Sequence, residues 1–527
     1  MQAAGPATVA TPQIGAVSEA QSTVLRGATT STSKMVASQR FRDIVPKPVS
    51  ESEANERPIG RLQLPREMTD IIGKPAPGST AAISGPSGVA GPLVATTAGR
   101  NFAGLGQGDY GFNVQSAPPD TTGAVGATQF VQWVNTSLAV YDKATGGLVS
   151  GPIAGSQLFQ NLGGRCATTN DGDPIVEYDK AAGRWVLTQF VASSPYLQCV
   201  AVSQTSDATG AYNLYAFTLP QFGDYPKLGV WPDAYYISFN VFTSTFQGAR
   251  ACAYDRARMI AGQTATQVCF QLSSSFGGLL PSDLDGATPP PAGSPNYFVA
   301  FGSSRLNVWR FHVDFATPAN STFTGPTAIT VPSFTTACGN TGTCIPQPGT
   351  SNQLDSLSDR LMYRLAYRNR AGTESLLLNH SVRVGNQRTS PTGIRWYELR
   401  VANQTPALFQ QGTYSPDTTH RWMGSIAMDK VGNIAVGYSA SSSSVFPSVR
   451  YTGRVPTDTL GTLQTENTII AGSGSQTGSL HRWGDYSHMS VDPIDDCTFW
   501  YTQEYGFQAG SFNWKTRVAS FRFPSCN

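Results

Sequence analysis

Three arginines stand at equal intervals in the second half of the chain: Arg360, Arg421 and Arg482, each 61 residues after the last (421 − 360 and 482 − 421). Arg presents a planar, permanently charged fork that holds a carboxylate, sulfate or phosphate through parallel hydrogen bonds. Three such forks converging on one point would grip an anion. Two of them belong to nearly identical stretches, HRWMGSIAMD (420–429) and HRWGDYSHMSVD (481–492), which also hold His420, His481 and His488, three of the five histidines. Acids take related positions earlier, at Asp120, Asp173 and Asp224. Facing carboxyls shift each other's pKa and can divide the roles of proton donor and acceptor. On this reading His481, Tyr486, Asp173 and Asp485 are candidates for proton transfer. Arg360, Arg421, Arg482, His420, His488, Asp120 and Asp224 are candidates for substrate binding. The competing reading is structural: residues that recur with a repeat often tie neighbouring repeats together through buried hydrogen bonds, and Trp422 and Trp483 read as packing.

The elements that would position these residues are short strands. GDPIVEY turns through DKAAGR into WVLTQFV (172–191), KLGVW through PDA into YYISFNVF (227–242), and RLMYRLAYR through NRAGTE into SLLLNHSV (360–382). GSIAM turns through DKVGN into IAVGYS (424–439), and HMSV through DPIDDC into TFWYTQEY (488–505). TGAVG with FVQWVN (122–135) begins the series, and NYFVAF with VWRFHVDF (296–315) supplies a less regular member. Runs of four to nine residues, rich in β-branched and aromatic types and broken by Gly, Asp, Asn or Pro, are the mark of antiparallel hairpins. With a further strand downstream of several pairs, the series reads as seven units. This predicts an all-β fold, a seven-bladed β-propeller of four-stranded blades, because radial closure leaves only short protected sheet edges. A two-domain β-sandwich is the alternative. In a propeller the residues just before each first strand crowd one channel mouth, and they would be Asp120, Asp173, Asp224, a position near Asn296, Arg360, Arg421 and Arg482.

The first 110 residues have a different texture, rich in Ala, Ser, Thr, Gly and Pro, as in KPAPGSTAAISGPSGVAGP (74–92). They read as an extended arm or pro-segment, with RLQLPREMTDII (61–72) available to dock on a propeller spanning 111–527. Charge is balanced, 36 basic against 34 acidic residues, so no polyanionic partner is implied, and the scatter of basic and aromatic residues argues against nucleic acid. No apolar run reaches the length of a membrane span, and the first residues show no secretory leader within this numbering. Eight cysteines fall into four sequential pairs: Cys166 with Cys199, Cys252 with Cys269, Cys338 with Cys344, and Cys497 with Cys526. Read as disulfides they imply a secreted protein, extracellular or periplasmic, and the last pair would latch the final strand. DLDG (283–286) and TTNDGDP (168–174) lack the spacing of a Ca²⁺ loop and read as turns. No cofactor is expected, with Ca²⁺ at those loops the weak exception. A monomer is expected.

NDGDPIVEYDKAAGRWVLTQF, DYPKLGVWPDAYYISFN, HRWMGSIAMDKVGNIAVGYS and RWGDYSHMSVDPIDDCTFWYTQEY together resemble secreted bacterial β-propeller proteins near the sialidase-like superfamily. The resemblance covers 115–527. It implies a propeller fold and export, and through the sialidases an arginine triad (Arg360, Arg421, Arg482) with a Tyr486–Glu504 pair. The chain lacks the sialidase S-x-D-x-G-x-T-W box and the early Arg-Ile-Pro motif. Propeller polysaccharide lyases, which use a channel-mouth His, Tyr and Arg on acidic sugars, are an equal analogy. The expectation is a hydrolase or lyase acting on a glycan, preferably an acidic one. The alternatives are a non-catalytic glycan- or protein-binding adhesion propeller and a structural surface protein whose arm engages a partner.

Overall fold

The computed structural model describes residues 17–18, 23–47, 83–84, 93–114, 116–339, 342–387, 389–478 and 480–527. Within them the chain is a succession of antiparallel meanders. The first runs through the strands Thr122–Val125, Gln129–Val134, Ser137–Asp142 and Leu148–Ala154. Further four-stranded meanders begin with the strands Ile175–Asp179, Phe222–Val230, Leu280–Asp285, Met362–Arg370 and His420–Met428. The last begins with His488–Val491 and continues through Phe499–Gly506 and Trp514–Arg522.

The first strands touch one another in chain order, and the last, His488–Val491, touches the first, Thr122–Val125. The sheets therefore close into a ring about these inner strands, as a propeller requires. Apolar side chains between sheets form the core: Trp133, Trp185, Trp231, Trp309, Trp396, Trp422 and Trp483 are among the largest fully buried groups. Removing an aromatic ring of this size from water is worth about 2–3 kcal/mol.

Ring closure comes from the N-terminal segment. Thr97–Gly106 pairs antiparallel with Trp514–Arg522 and supplies the fourth strand of the last sheet, so the sheet structure begins before residue 111. Glycine makes this pairing close: a Cβ on Gly106 would lie 2.5 Å from Lys515 Cα. The Cys497–Cys526 disulfide adds a second tie within the same sheet. The other three bonds join Cys166 to Cys199, Cys252 to Cys269, and Cys338 to Cys344.

Earlier residues edge the ring. Val36–Ala37 pairs with the outer strand Tyr212–Thr218, Thr29–Ser33 with Ala265–Gln271, and Thr23–Leu25 with Thr322–Thr330. Each addition covers backbone groups that an open edge would present for aggregation. The segment 61–72, expected to dock, lies outside the described residues.

One unit differs from the sequence reading. The inner strand of the fourth meander is Leu280–Asp285, and Asn296 starts its second strand. DLDG is thus largely a buried strand rather than a turn. Its acids are tolerated because the neighbouring inner strand supplies a partner: Arg364, fully buried, pairs with Asp283 at 2.6 Å and also with Asp285.

Candidate functional site at the channel mouth

The mouth is built from turns that enter the inner strands. Asp120, Asp173 and Asp485 all hold the left-handed conformation, with φ of 47°, 45° and 54°. Tyr225 (φ 53°) and Met423 (φ 56°) do so at related turns. Asp tolerates this region better than most side chains, whereas Tyr and Met adopt it at a cost of about 1 kcal/mol. The turn directs side chains inward from several strands at once. Asn135 fixes two of these turns together: its amide donates to the Pro118 carbonyl at 2.9 Å and its oxygen accepts the Asp173 N–H at 3.0 Å.

Four expected acids meet here. Asp120, Asp173 and Asp485 are buried and Asp224 is half-buried. Burial, then the charges of Asp485 and Asp173, push the Asp120 carboxyl well above the usual carboxylate range. Asp173 is also raised by burial, but Lys227 and a hydrogen bond from Asp120 pull it back. Both carboxyls are raised, Asp120 further than Asp173, so a proton shared by the pair favours Asp120. Burial and the Asp173 charge push Asp224 up to about 7.

Three cations stand among these acids. Lys227 is fully buried, its Nζ 3.5 Å from the Tyr225 ring centre and 3.9 Å from that of Tyr486, donating to the Pro226 carbonyl at 2.7 Å. Burial brings its pKa down to about 8. Arg360 makes a two-pronged pair with Asp359 at 2.8 and 3.1 Å, and its guanidinium lies 4.4 Å over the Tyr225 ring. Arg482 pairs with Asp485. The Tyr486 hydroxyl donates to the Pro174 carbonyl at 2.9 Å and that of Tyr225 to the Asp485 carbonyl at 3.2 Å.

Other expected site residues lie elsewhere. Arg421 runs along its own sheet, where Glu466 receives its Nε at 2.8 Å and its Nη2 at 2.7 Å, and Asp417 and the Thr419 carbonyl take Nη1. The expected three-arginine grip is thus not assembled, because a local carboxylate captures one member. His420 is buried beside the Thr392 N–H, and burial lowers its pKa to about 4. His481 is exposed, its ring nitrogen donating to the Gln353 carbonyl at 2.8 Å. Glu504 accepts the Gly484 N–H at 2.8 Å, while Tyr486 bonds to Pro174, so the Tyr486–Glu504 pair is not formed.

His488 lies deeper, in a second layer of the channel. Its Nδ1 is 3.3 Å from Thr122 Oγ1 and its Nε2 is 3.5 Å from Glu177 Oε1. Burial and Arg364 lower its pKa well below the ordinary value. Tyr363 donates to Glu177 and, at 3.0 Å, to the Leu228 carbonyl. Below this layer Arg364, Asp283, Asp285 and Lys180 form an ion-paired plug. Arg364 and Lys180 hold Asp285 down to about 2 although burial acts the other way.

The sequence reading missed Lys227, Tyr225, Asn135, Glu177 and Tyr363. A signal for two of them was present: GDYPKLGV (223–230) and GDYSHMSV (484–491) match, setting Tyr225 against Tyr486 and Lys227 against His488. Among the described residues no group of three or more His, Cys, Asp or Glu is arranged to hold a metal ion, and no helix is long and apolar enough to cross a membrane.

No family model matches the chain, and no curated protein matches it in sequence. Solved structures match in chain path. An endo-arabinase from Bacteroides thetaiotaomicron is 10% identical over 66% of this chain and 92% of that one, with a TM-score of 0.29. An ulvan lyase, a polysaccharide lyase, is 11% identical over 80% of this chain and 96% of that one, TM-score 0.34. Trypanosoma rangeli sialidase is 10% identical over 66% of this chain and 54% of that one, TM-score 0.31. At these scores they are similarities in the course of the backbone and nothing more.

Proposed function

We propose that the chain is a secreted, monomeric seven-bladed propeller that hydrolyses glycosidic bonds at its channel mouth. The observation that carries this reading is the group of coupled carboxyls, Asp120, Asp173 and Asp224, from the starts of three consecutive inner strands. Glycoside hydrolysis needs one carboxyl that keeps its proton near neutral pH and another that stays ionised. Asp224, partly buried with its pKa pushed up to about 7, fits the acid that protonates the leaving oxygen. Asp173, beside Lys227, fits the base or nucleophile. Asp120 holds the proton that keeps the two apart in charge. The four disulfides suit an oxidising compartment.

The charges favour a neutral or weakly acidic sugar over a strongly anionic one. Arg360 and Arg482 already hold carboxylates, and Arg421 is engaged with Glu466. A panel of neutral, uronate- and sialate-containing glycans, followed by release of reducing ends, tests the reading. Hydrolysis should fall at least about 100-fold in Asp173→Asn, the usual scale for a lost acid–base group, and the activity of the parent should decline above pH 7 as Asp224 loses its proton. Glycan binding without turnover under all conditions would leave the adhesion reading in its place.

A further inference from the structure

Two long loops end at the mouth, and they are fastened to each other. One joins the strands Thr322–Thr330 and Met362–Arg370 and delivers Asp359 and Arg360; the other precedes His488–Val491 and delivers Arg482 and Asp485. The first leads into the meander that begins at Met362; the second leaves the next meander, His420–Ile470, and leads into the last one.

Their contacts are reciprocal. Gln347 donates from its amide to the Gln476 carbonyl at 3.0 Å and accepts the Gln476 N–H at 2.8 Å. Asn352 donates to the carbonyls of Gln476 and Leu480 at 3.1 and 2.7 Å. The Asp355 N–H donates to the His481 carbonyl at 2.8 Å, and the His481 ring donates back to Gln353. Ser475 donates to the Pro348 carbonyl at 2.7 Å. Gln347, Asn352 and Gln476 are all buried polar side chains, so the fastening is satisfied internally and sheltered from competing water. It ends against the site itself: Arg360 lies over Tyr225, which covers Lys227.

The consequence shows in exposure. Asp120, Asp173, Asp359 and Asp485 are 2–7% exposed, and Asp224 is the member of the acidic group that keeps partial contact with solvent. We infer that the two fastened loops close the mouth into a pocket, approached beside Asp224, that takes the end of a glycan chain and excludes its interior. An open groove would let a polymer lie across the carboxyls; a capped mouth with one approach admits a terminal sugar. This specificity rests on the glycan-hydrolase reading, whereas the cap itself does not.

Two measurements separate them. The first is carbodiimide-driven coupling of glycine methyl ester to carboxyls in the folded protein, read by peptide mass. Asp224 should couple while Asp485 stays protected. In Gln347→Ala/Asn352→Ala, which removes the four side-chain hydrogen bonds these residues make to the other loop, the protection of Asp485 should fall at least about tenfold. If that variant does not fold, Ser475→Ala should give a smaller loss of protection. Equal coupling of Asp224 and Asp485 in the parent protein overturns the cap, whether or not any glycan is hydrolysed. The second measurement follows products from oligosaccharides and polymer. Release of small sugars with little early loss of polymer viscosity supports chain-end action, and a rapid viscosity drop before small sugars appear overturns it. A protein that keeps the labelling pattern but hydrolyses no glycan retains the cap and loses the hydrolase reading.

Discussion

The two His-Arg-Trp copies start alike and end in different places. Their tryptophans pack together, ring centres 6.0 Å apart at 50°, both in the largest core cluster. Their arginines part. Arg421 is inside a strand that begins at His420, and the strand's direction carries its guanidinium outward to Glu466, which also meets Tyr438 and Arg450. Arg482 precedes its strand by six residues, and Gly484–Asp485 turn the chain so that Asp485 meets it at the mouth. From Trp422 to Asp429 is 7 residues and from Trp483 to Asp492 is 9. Those two extra residues separate a sheet-stiffening cation from a mouth cation. A repeat thus preserves what packs the repeats, here the tryptophan, and frees the neighbouring position for either purpose.

The difference can be broken most forcefully at Arg421. It is fully buried and its chief partner Glu466 is nearly so. Arg421→Ala leaves Glu466 with only the more exposed Arg450 as a counter-charge, and stability should fall by about 3 kcal/mol, the lower end for a broken buried pair. The exposed Asp417 contact adds little. Denaturant unfolding checks this: the midpoint should drop sharply, while the folded fraction keeps its glycan affinity. Unchanged stability with lost affinity would move Arg421 back into the site.

Arg482→Ala should reverse the proportions. Arg482 keeps slight contact with solvent, but its loss leaves the buried Asp485 without its partner, so stability should fall by about 2 kcal/mol, less than at Arg421. Without Arg482, which lowers the pKa of Asp120, Asp173 and Asp224, all three should titrate higher. The pH–rate profile should therefore shift upward, with a Lys at 482 restoring most of it. Equal stability losses at 421 and 482, with no pH shift, would erase the distinction between the copies.

How much of this the sequence discloses depends on how local the cause is. The meanders are legible because alternation and turn residues lie within each hairpin, as in IVEYD and WVLTQFV. Leu280–Asp285 was hidden, since two acids in a six-residue strand read as a turn until Arg364, on the inner strand that pairs with it in parallel, neutralises them. Thr97–Gly106 was hidden for a different reason. TAGRNFAGLG lacks an apolar alternation because its glycines serve close approach, as at Gly104, where a Cβ would sit 2.4 Å from Thr516 Oγ1. The aspartates of the mouth were legible as residues in register, whereas the fate of Arg421 was set by Glu466, 45 positions away, outside any repeat pattern.

Asp224 gives a subtler contrast between the acidic mouth and the ordinary surface. Its folded pKa of about 7 stands above the ordinary carboxylate value of 3.8, so between those limits the folded state holds a proton that the unfolded chain has released. That contribution to stability is complete below the unfolded pKa and is lost as pH rises through 7. Asp224→Asn should flatten this part of the Tm–pH curve and raise Tm relative to the parent at pH 8. The same slope in both proteins would assign the titration to another group.

The smallest effect should come from His481, and the histidine that opens the other copy sets the contrast. His420 is buried and accepts the Thr392 N–H at 3.3 Å, a long bond whose loss leaves a buried donor unpaired. His420→Ala should cost about 1–2 kcal/mol, from the unpaired donor and the emptied space together. His481 is exposed, and its ring's bond to the Gln353 carbonyl competes with water. His481→Ala should change stability by about 0.5 kcal/mol or less. Its carbonyl, which receives the Asp355 N–H, remains in the variant, so the fastening of the two loops should persist and the protection of Asp485 against carbodiimide should hold. If His481→Ala instead exposes Asp485 while leaving the unfolding midpoint unchanged, the ring itself is the catch that holds the mouth shut, and the second copy of the triplet differs from the first at its histidine as well as at its arginine.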